Sequence, residues 1–157
     1  MPADKSELTI SRFIAAPPAL VWKAWSTPEH LAKWWIPAPI ECRVVRLDLR
    51  PGGAFETQMR EGDGDFQPHV DGCFLEIVPA ARLVFTTVLT AGWQPAEPWL
   101  ALTAIITFEA EGDGTRYAAR VLHRNAEDSR KHEAMGFEEG WGTAIGQLAA
   151  VVARMAR

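Results

Sequence analysis

The sequence predicts an α+β domain in which an antiparallel sheet of six or seven strands is covered by one long C-terminal helix. Between Ile40 and His123, short runs of β-branched and aromatic residues alternate with polar ones and are broken by glycine and proline, the signature of strands and turns. From Trp141 onward, Ile145, Leu148, Val152 and Met155 follow at spacings of four, three, four and three, which makes one apolar stripe over four helical turns. The segment from Pro17 to Pro39 concentrates tryptophan between prolines, a pattern that suits two short helices. A sheet with one apolar face and a single amphipathic helix to cover it makes a two-layer sandwich, and a twisted sheet of this size curls around the helix.

Leu8 to Ala15 reads as the first strand. Ala16-Pro17-Pro18 stops it, and a proline at a first helical position opens a helix over Ala19 to Ser26, with Val21, Trp22 and Trp25 on an apolar face. Thr27-Pro28-Glu29 repeats the signal as a cap, a first-turn proline and an acid at the positive helix end. Leu31, Trp34 and Trp35 fall on one side of this second short helix, which Pro37 and Pro39 end.

The second strand runs from Glu41 to Leu49, and Pro51-Gly52-Gly53 makes a turn flanked by Asp48 and Arg50, expected in a structural ion pair or a turn role. In Ala54 to Arg60, Phe55, Thr57 and Met59 oppose Glu56, Gln58 and Arg60. Glu61 to Asp65 is a loop whose acids do not complete a calcium-binding pattern. His69 to Val78 and Arg82 to Leu89 are the next strands, and Thr90 to Pro98 reads as a loop carrying Trp93, with Trp99 at its edge. Leu100 to Ala110 and Thr115 to His123 form a hairpin around Gly112-Asp113-Gly114, whose Asp-Gly step suits a tight turn. Arg116 and Arg120 face solvent in the last strand, which turns His123 inward.

Asn125 caps the helical end of the chain, with Glu127 and Asp128 in the first turn. Gly136 marks a break between a short helix and the long one. Gly140, Gly142 and Gly146 each cost about 1 kcal/mol against alanine in a helix interior, which suggests close approach of a backbone or a ligand.

At 157 residues and 17.4 kDa the chain reads as a single domain over residues 1–157, with a polar tail at residues 1–7. A formal charge of −4 and no basic run argue against a nucleic-acid partner. The polar start is unlike a signal peptide, and the apolar run from Leu100 to Phe108 is too short to span a bilayer, so a cytoplasmic location is expected. Cys42 and Cys73 are read as free thiols, although spacing alone leaves a disulfide open. Seven tryptophans stand against one tyrosine. Trp22 and Trp25 are expected in the core, whereas Trp34, Trp35, Trp93, Trp99 and Trp141 lie on a short helix, a loop and the long helix.

Arg12-Phe13-Ile14-Ala15-Ala16-Pro17, Val21-Trp22-Lys23-Ala24-Trp25, Thr27-Pro28-Glu29-His30-Leu31 and Trp34-Trp35 resemble the opening signature of a bacterial family. It is the family of homologues of the activator of the heat-shock-protein-90 ATPase, within the START-related helix-grip (SRPBCC) superfamily. Asp48 to Phe55, Gly72 to Pro79, Arg82 to Thr86 and Met135 to Trp141 are similar to its later motifs, so the resemblance spans essentially the whole chain. It implies a helix-grip fold: a curved seven-stranded antiparallel sheet wrapped around the C-terminal helix, with a cavity between them whose entrance is surrounded by the elements that carry Trp34, Trp35, Trp93, Trp99 and Trp141. The superfamily includes lipid carriers, hormone receptors, polyketide cyclases and the substrate domains of ring hydroxylases, so the fold alone leaves the activity open.

The candidate ligand-binding residues are Trp34, Trp35, Phe55, Thr57, Met59, Phe85, Thr87, Trp99, Leu102, His123, Phe137, Trp141 and Ile145. Thr57 and Thr87 are expected to be the few polar groups of an apolar pocket. No serine sits in a nucleophile elbow, His132-Glu133 lacks the second histidine of a zincin helix, and no phosphate loop is present, so neither a metal nor a cofactor is expected. Three functions remain open: binding of a small hydrophobic or aromatic molecule; a cofactor-free cyclase- or hydrolase-like enzyme with His123 as acid or base; and a protein-interaction or stress-response module, including a homodimer.

Overall fold

A computed structural model describes residues 6–156, so the first five residues of the polar tail lie outside the described residues. In chain order, β1 (Glu7–Ile14) is followed by α1 (Pro18–Ser26), α2 (Pro28–Leu31), β2 (Glu41–Leu47), β3 (Ala54–Arg60), β4 (Gln67–Val78) and β5 (Arg82–Thr86). Then come β6 (Leu89–Thr90), β7 (Gln94–Pro95), β8 (Leu102–Glu111), β9 (Gly114–His123), α3 (Ala126–Ala134) and α4 (Phe137–Met155). Seven strands form one antiparallel sheet in the order β1-β9-β8-β5-β4-β3-β2, and α4 packs against it beside α1. The expected α+β architecture, with short helices after the first strand and a long helix at the end, is the one observed. The sheet is open, with β1 and β2 as its edges.

Register shifts occur at Val45 in β2, His69 and Leu75 in β4, each leaving one residue without a partner on the neighbouring strand. Such bulges bend a strand and increase its twist, and they give the sheet its curl. The concave face carries Ile10, Phe55, Phe74, Phe85, Ala104, Ile106 and Val121, all buried, against Val21 and Trp25 of α1 and Leu148 and Val152 of α4.

Three local departures from the sequence reading have physical causes. The second helix is a single turn, and Trp34 and Trp35 sit in turns beyond it, closed by their amide N–H groups donating to Leu31 O; Pro37 disfavours helical geometry at the residue before it. The loop from Thr90 holds a small two-stranded sheet, β6 with β7, around a turn in which Gly92 and Trp93 both have positive φ. In the β8–β9 hairpin the left-handed residue is Gly112 (φ 59°), ahead of the Asp-Gly step. The break between α3 and α4 falls at Gly136, whose φ of 96° suits glycine and turns the chain between two helices. Cys42 and Cys73 are free thiols.

Candidate functional site

A cavity of about 420 Å³ opens between the sheet and the N-terminal half of α4. α4 contributes Gly140, Trp141, Ala144 and Ile145, one turn apart along the face that the apolar stripe predicts. The turns after α2 contribute Trp34, Trp35 and Pro37. The sheet contributes residues 68–71 of β4, Phe85 of β5, Leu102 of β8 and Tyr117 of β9. The segment between β5 and β8 closes the rim with Thr87, Thr90 and residues 96–100.

Eight of the thirteen candidates meet here: Trp34, Trp35, Phe85, Thr87, Trp99, Leu102, Trp141 and Ile145. Trp35 and Trp141 stand edge to face with ring centroids 6.2 Å apart, and Trp35 also packs on Phe85 at 6.0 Å. Trp99 is 65% exposed, and its indole N–H donates to the carbonyl of His69 at 3.0 Å, which straps the rim loop to β4. Gly140 belongs to the wall, and a side-chain carbon there would meet nothing within 4 Å, so α4 keeps this stretch of the cavity open. At Gly142 and Gly146 no backbone of another element approaches closely either, so among the described residues a close backbone does not account for these three glycines.

The other five candidates lie behind or beyond the wall. Phe55 is fully buried and stacks on Phe74 with centroids 5.2 Å apart, directly behind Phe85. Thr57 is fully buried, and its hydroxyl pairs with Nδ1 of His69 at 3.0 Å, so it supports a wall residue. Met59 sits two residues further along β3, opposite Gln67. Phe137 packs between His132 and Trp141, at centroid distances of 5.1 and 5.2 Å.

His123 is buried, as the strand alternation predicts, but outside the cavity wall. Its Nδ1 lies 3.2 Å from the carbonyl oxygen of Ser6 and its Nε2 lies 2.8 Å from Nδ1 of His132. A carbonyl only accepts, so Nδ1 of His123 carries a proton, and its Nε2 and Nδ1 of His132 hold one proton between them. Burial, with His123 beside it, lowers the pKa of His132 to about 4, which keeps that ring neutral. Both nitrogens of His123 are thus committed to holding α3 against the start of β1.

Two wall residues carry chemistry that the candidates did not include, and a third, Gly140, shapes the wall. His69 occupies the β4 bulge, and burial lowers its pKa to about 4. Tyr117 is buried, and its hydroxyl oxygen accepts the indole N–H of Trp25 at 3.1 Å. Burial raises the pKa of that phenol, so it stays protonated. Gly140 was visible as a costly glycine in the long helix. Tyr117 was legible as an inward position between Arg116 and Arg120, whereas a bulge at His69 leaves no mark in the sequence.

The remaining tryptophans are structural. Trp25 is wholly buried, and Trp22 packs on Phe108. Trp93, expected near the cavity mouth, lies instead over the turn at Gly52, where a side-chain carbon would stand 2.8 Å from its Nε1. Glu138, at the start of α4, pairs with Arg12 at 3.1 Å on the exposed surface, and Arg50 pairs with Asp48 at 2.8 Å as expected. Among the described residues no group of three or more His, Cys, Asp or Glu is placed to hold a metal ion, and no helix is long and apolar enough to cross a membrane.

A protein from Nitrosomonas europaea with a crystal structure is 40% identical to this chain, with a TM-score of 0.88 and 99% of each chain covered. A protein from Mycobacterium smegmatis is 28% identical, with a TM-score of 0.79 over 96% of this chain and 92% of that one. An AHSA1-like protein from Aeromonas hydrophila shares the fold at 20% identity, with a TM-score of 0.69 over 96% and 94% of the two chains. No curated protein matches the chain. The family described as Activator of Hsp90 ATPase homolog 1-like protein matches residues 15–153, which is nearly the whole helix-grip domain, and the chain belongs to that family.

Proposed function

We propose that this protein binds a small hydrophobic or aromatic molecule in the cavity between its sheet and its C-terminal helix. The observation that carries the reading is the cavity itself. At about 420 Å³ it falls in the range of small-ligand sites, roughly 300–1,000 Å³. Trp34, Trp35, Trp99 and Trp141 stand on its wall, and aromatic rings supply large contact area at small entropic cost. Protein interiors pack closely, and an opening this large among apolar side chains forfeits dispersion contacts that a bound molecule restores.

Titration with the neutral dye N-phenyl-1-naphthylamine tests this. Saturable enhancement of the dye with quenching of tryptophan emission is expected, and Ile145→Trp, which fills the cavity from α4, should remove both. A dye signal that does not saturate, or one unaffected by Ile145→Trp, would overturn the reading.

A further inference from the structure

The cavity is apolar, yet two donors on its wall are short of acceptors. The hydroxyl oxygen of Tyr117 accepts the Trp25 indole N–H, and among the described residues nothing accepts the hydroxyl's own proton. Trp35 lines the same cavity, and its indole N–H is buried without any partner. Thr57 is spent behind the wall: its Oγ1 takes the amide of Val70 at 3.2 Å and pairs with Nδ1 of His69 at 3.0 Å. A buried donor left unpaired costs about 1–3 kcal/mol, so a cavity with these two donors is incomplete when empty.

The wall's other polar side chains narrow what would complete it. Thr87 is spent: its hydroxyl pairs with Leu100 O at 2.8 Å and takes the amide of Leu102 at 3.0 Å. No lysine or arginine lines the cavity, while Asp71 and Glu97 do, both exposed at the rim. An anionic ligand would meet two carboxylates and no cation. A pure hydrocarbon would fill the volume and leave every donor unpaired. We infer that the cavity is built for a neutral ligand whose hydrophobic or aromatic body carries an accepting carbonyl oxygen, as in a ketone, lactone or quinone. Tyr117 donates its hydroxyl to that oxygen, and Trp35 supplies a second donor. The inference rests on the proposed use of the cavity and deepens it.

Calorimetric titration with 1-tetralone and with its hydrocarbon tetralin separates the two claims. Tyr117→Phe is expected to weaken tetralone binding by about three- to tenfold, the range of one net hydrogen bond, and to leave tetralin within about twofold. Equal effects on both compounds would overturn the carbonyl assignment and leave the cavity reading standing. Failure of both to bind the unaltered protein would overturn both. Tighter binding of 2-naphthoate or of benzyltrimethylammonium than of 1-tetralone would also overturn the neutral-carbonyl assignment. Tyr117→Phe removes the acceptor of the Trp25 N–H and could unfold the chain, so a second measurement uses the unaltered protein. The carbonyl stretch of bound 1-tetralone should lie below its frequency in hexane; a hexane-like frequency would overturn the inference.

Discussion

Two aromatic regions of this molecule use the same residue types to opposite ends. Behind the wall, Trp25 is wholly buried, with ring centroids 5.4 Å from Phe55 and 6.3 Å from Phe74, and its indole N–H is bonded to Tyr117. Trp34 adjoins this region, with its N–H on the carbonyl of Ala24 at 3.0 Å. On the wall, Trp35 packs 5.4 Å from Trp25 and yet leaves its N–H unpaired, and Trp141 has open volume beside it. Of these neighbouring tryptophans, Trp35 differs from Trp25 and Trp34 in leaving its polar atom unsatisfied. Hydrogen-bond accounting sets Trp35 apart from its neighbours where hydrophobicity cannot.

Truncating one ring from each region gives the largest contrast. Trp25→Ala removes a side chain packed on all sides and strands the Tyr117 hydroxyl, and should cost about 3–5 kcal/mol in urea unfolding. Trp141→Ala widens a volume that is already open, and should cost about 1–2 kcal/mol while abolishing dye binding. Equal losses of stability would break the distinction between core and wall.

The second contrast is between two histidines, one in each setting. His69 on the wall and His132 on the buried side of α3 both have pKa values lowered to about 4 from 6.5. A lowered histidine pKa means that the unfolded chain binds protons the folded one refuses. Stability from both rings is complete above pH 6.5 and falls as the pH drops from 6.5 towards 4. Thermal unfolding from pH 7.5 to 4.5 should show this decline. His69→Gln, which keeps a polar group beside Thr57 and cannot titrate, should make the decline shallower. An identical profile in that variant would place the pH dependence with His132 and the other groups, away from the wall.

The fold was largely legible because its signals are periodic. The stripe from Trp141 to Met155 defines α4, the alternation of Phe55, Thr57 and Met59 defines β3, and Gly136 marks the break between helices. The site was legible only where a residue's role follows from which face it occupies. Trp141 and Ile145 share one helical face and reach the cavity; Phe55 has the right strand face but lies one layer too deep. His123 points inward as read, and what hid its role was His132, a partner nine residues away in sequence and on another element. His69 depends on a one-residue register shift, which arises from how two strands meet and has no composition of its own. Trp93 was drawn away from the cavity by the β6–β7 turn, which short strand signals did not announce.

The smallest effect sharpens the comparison most finely, because it concerns a residue with no side chain. Gly140 sits inside α4, where glycine is less favourable than alanine by about 1 kcal/mol, and the space its Cβ would take is empty. In a region packed like the surroundings of Trp25, an added methyl would collide and destabilise. At Gly140 it should instead stabilise the protein by about 0.5–1 kcal/mol, read as a higher urea midpoint with an unchanged slope. The same methyl projects into the cavity, so Gly140→Ala should also weaken binding of N-phenyl-1-naphthylamine. A gain in stability coupled to a loss of binding is the outcome that a site, rather than a packing fault, requires. A gain in stability with unaltered binding would mean that α4 carries its glycine at Gly140 for some reason other than the ligand.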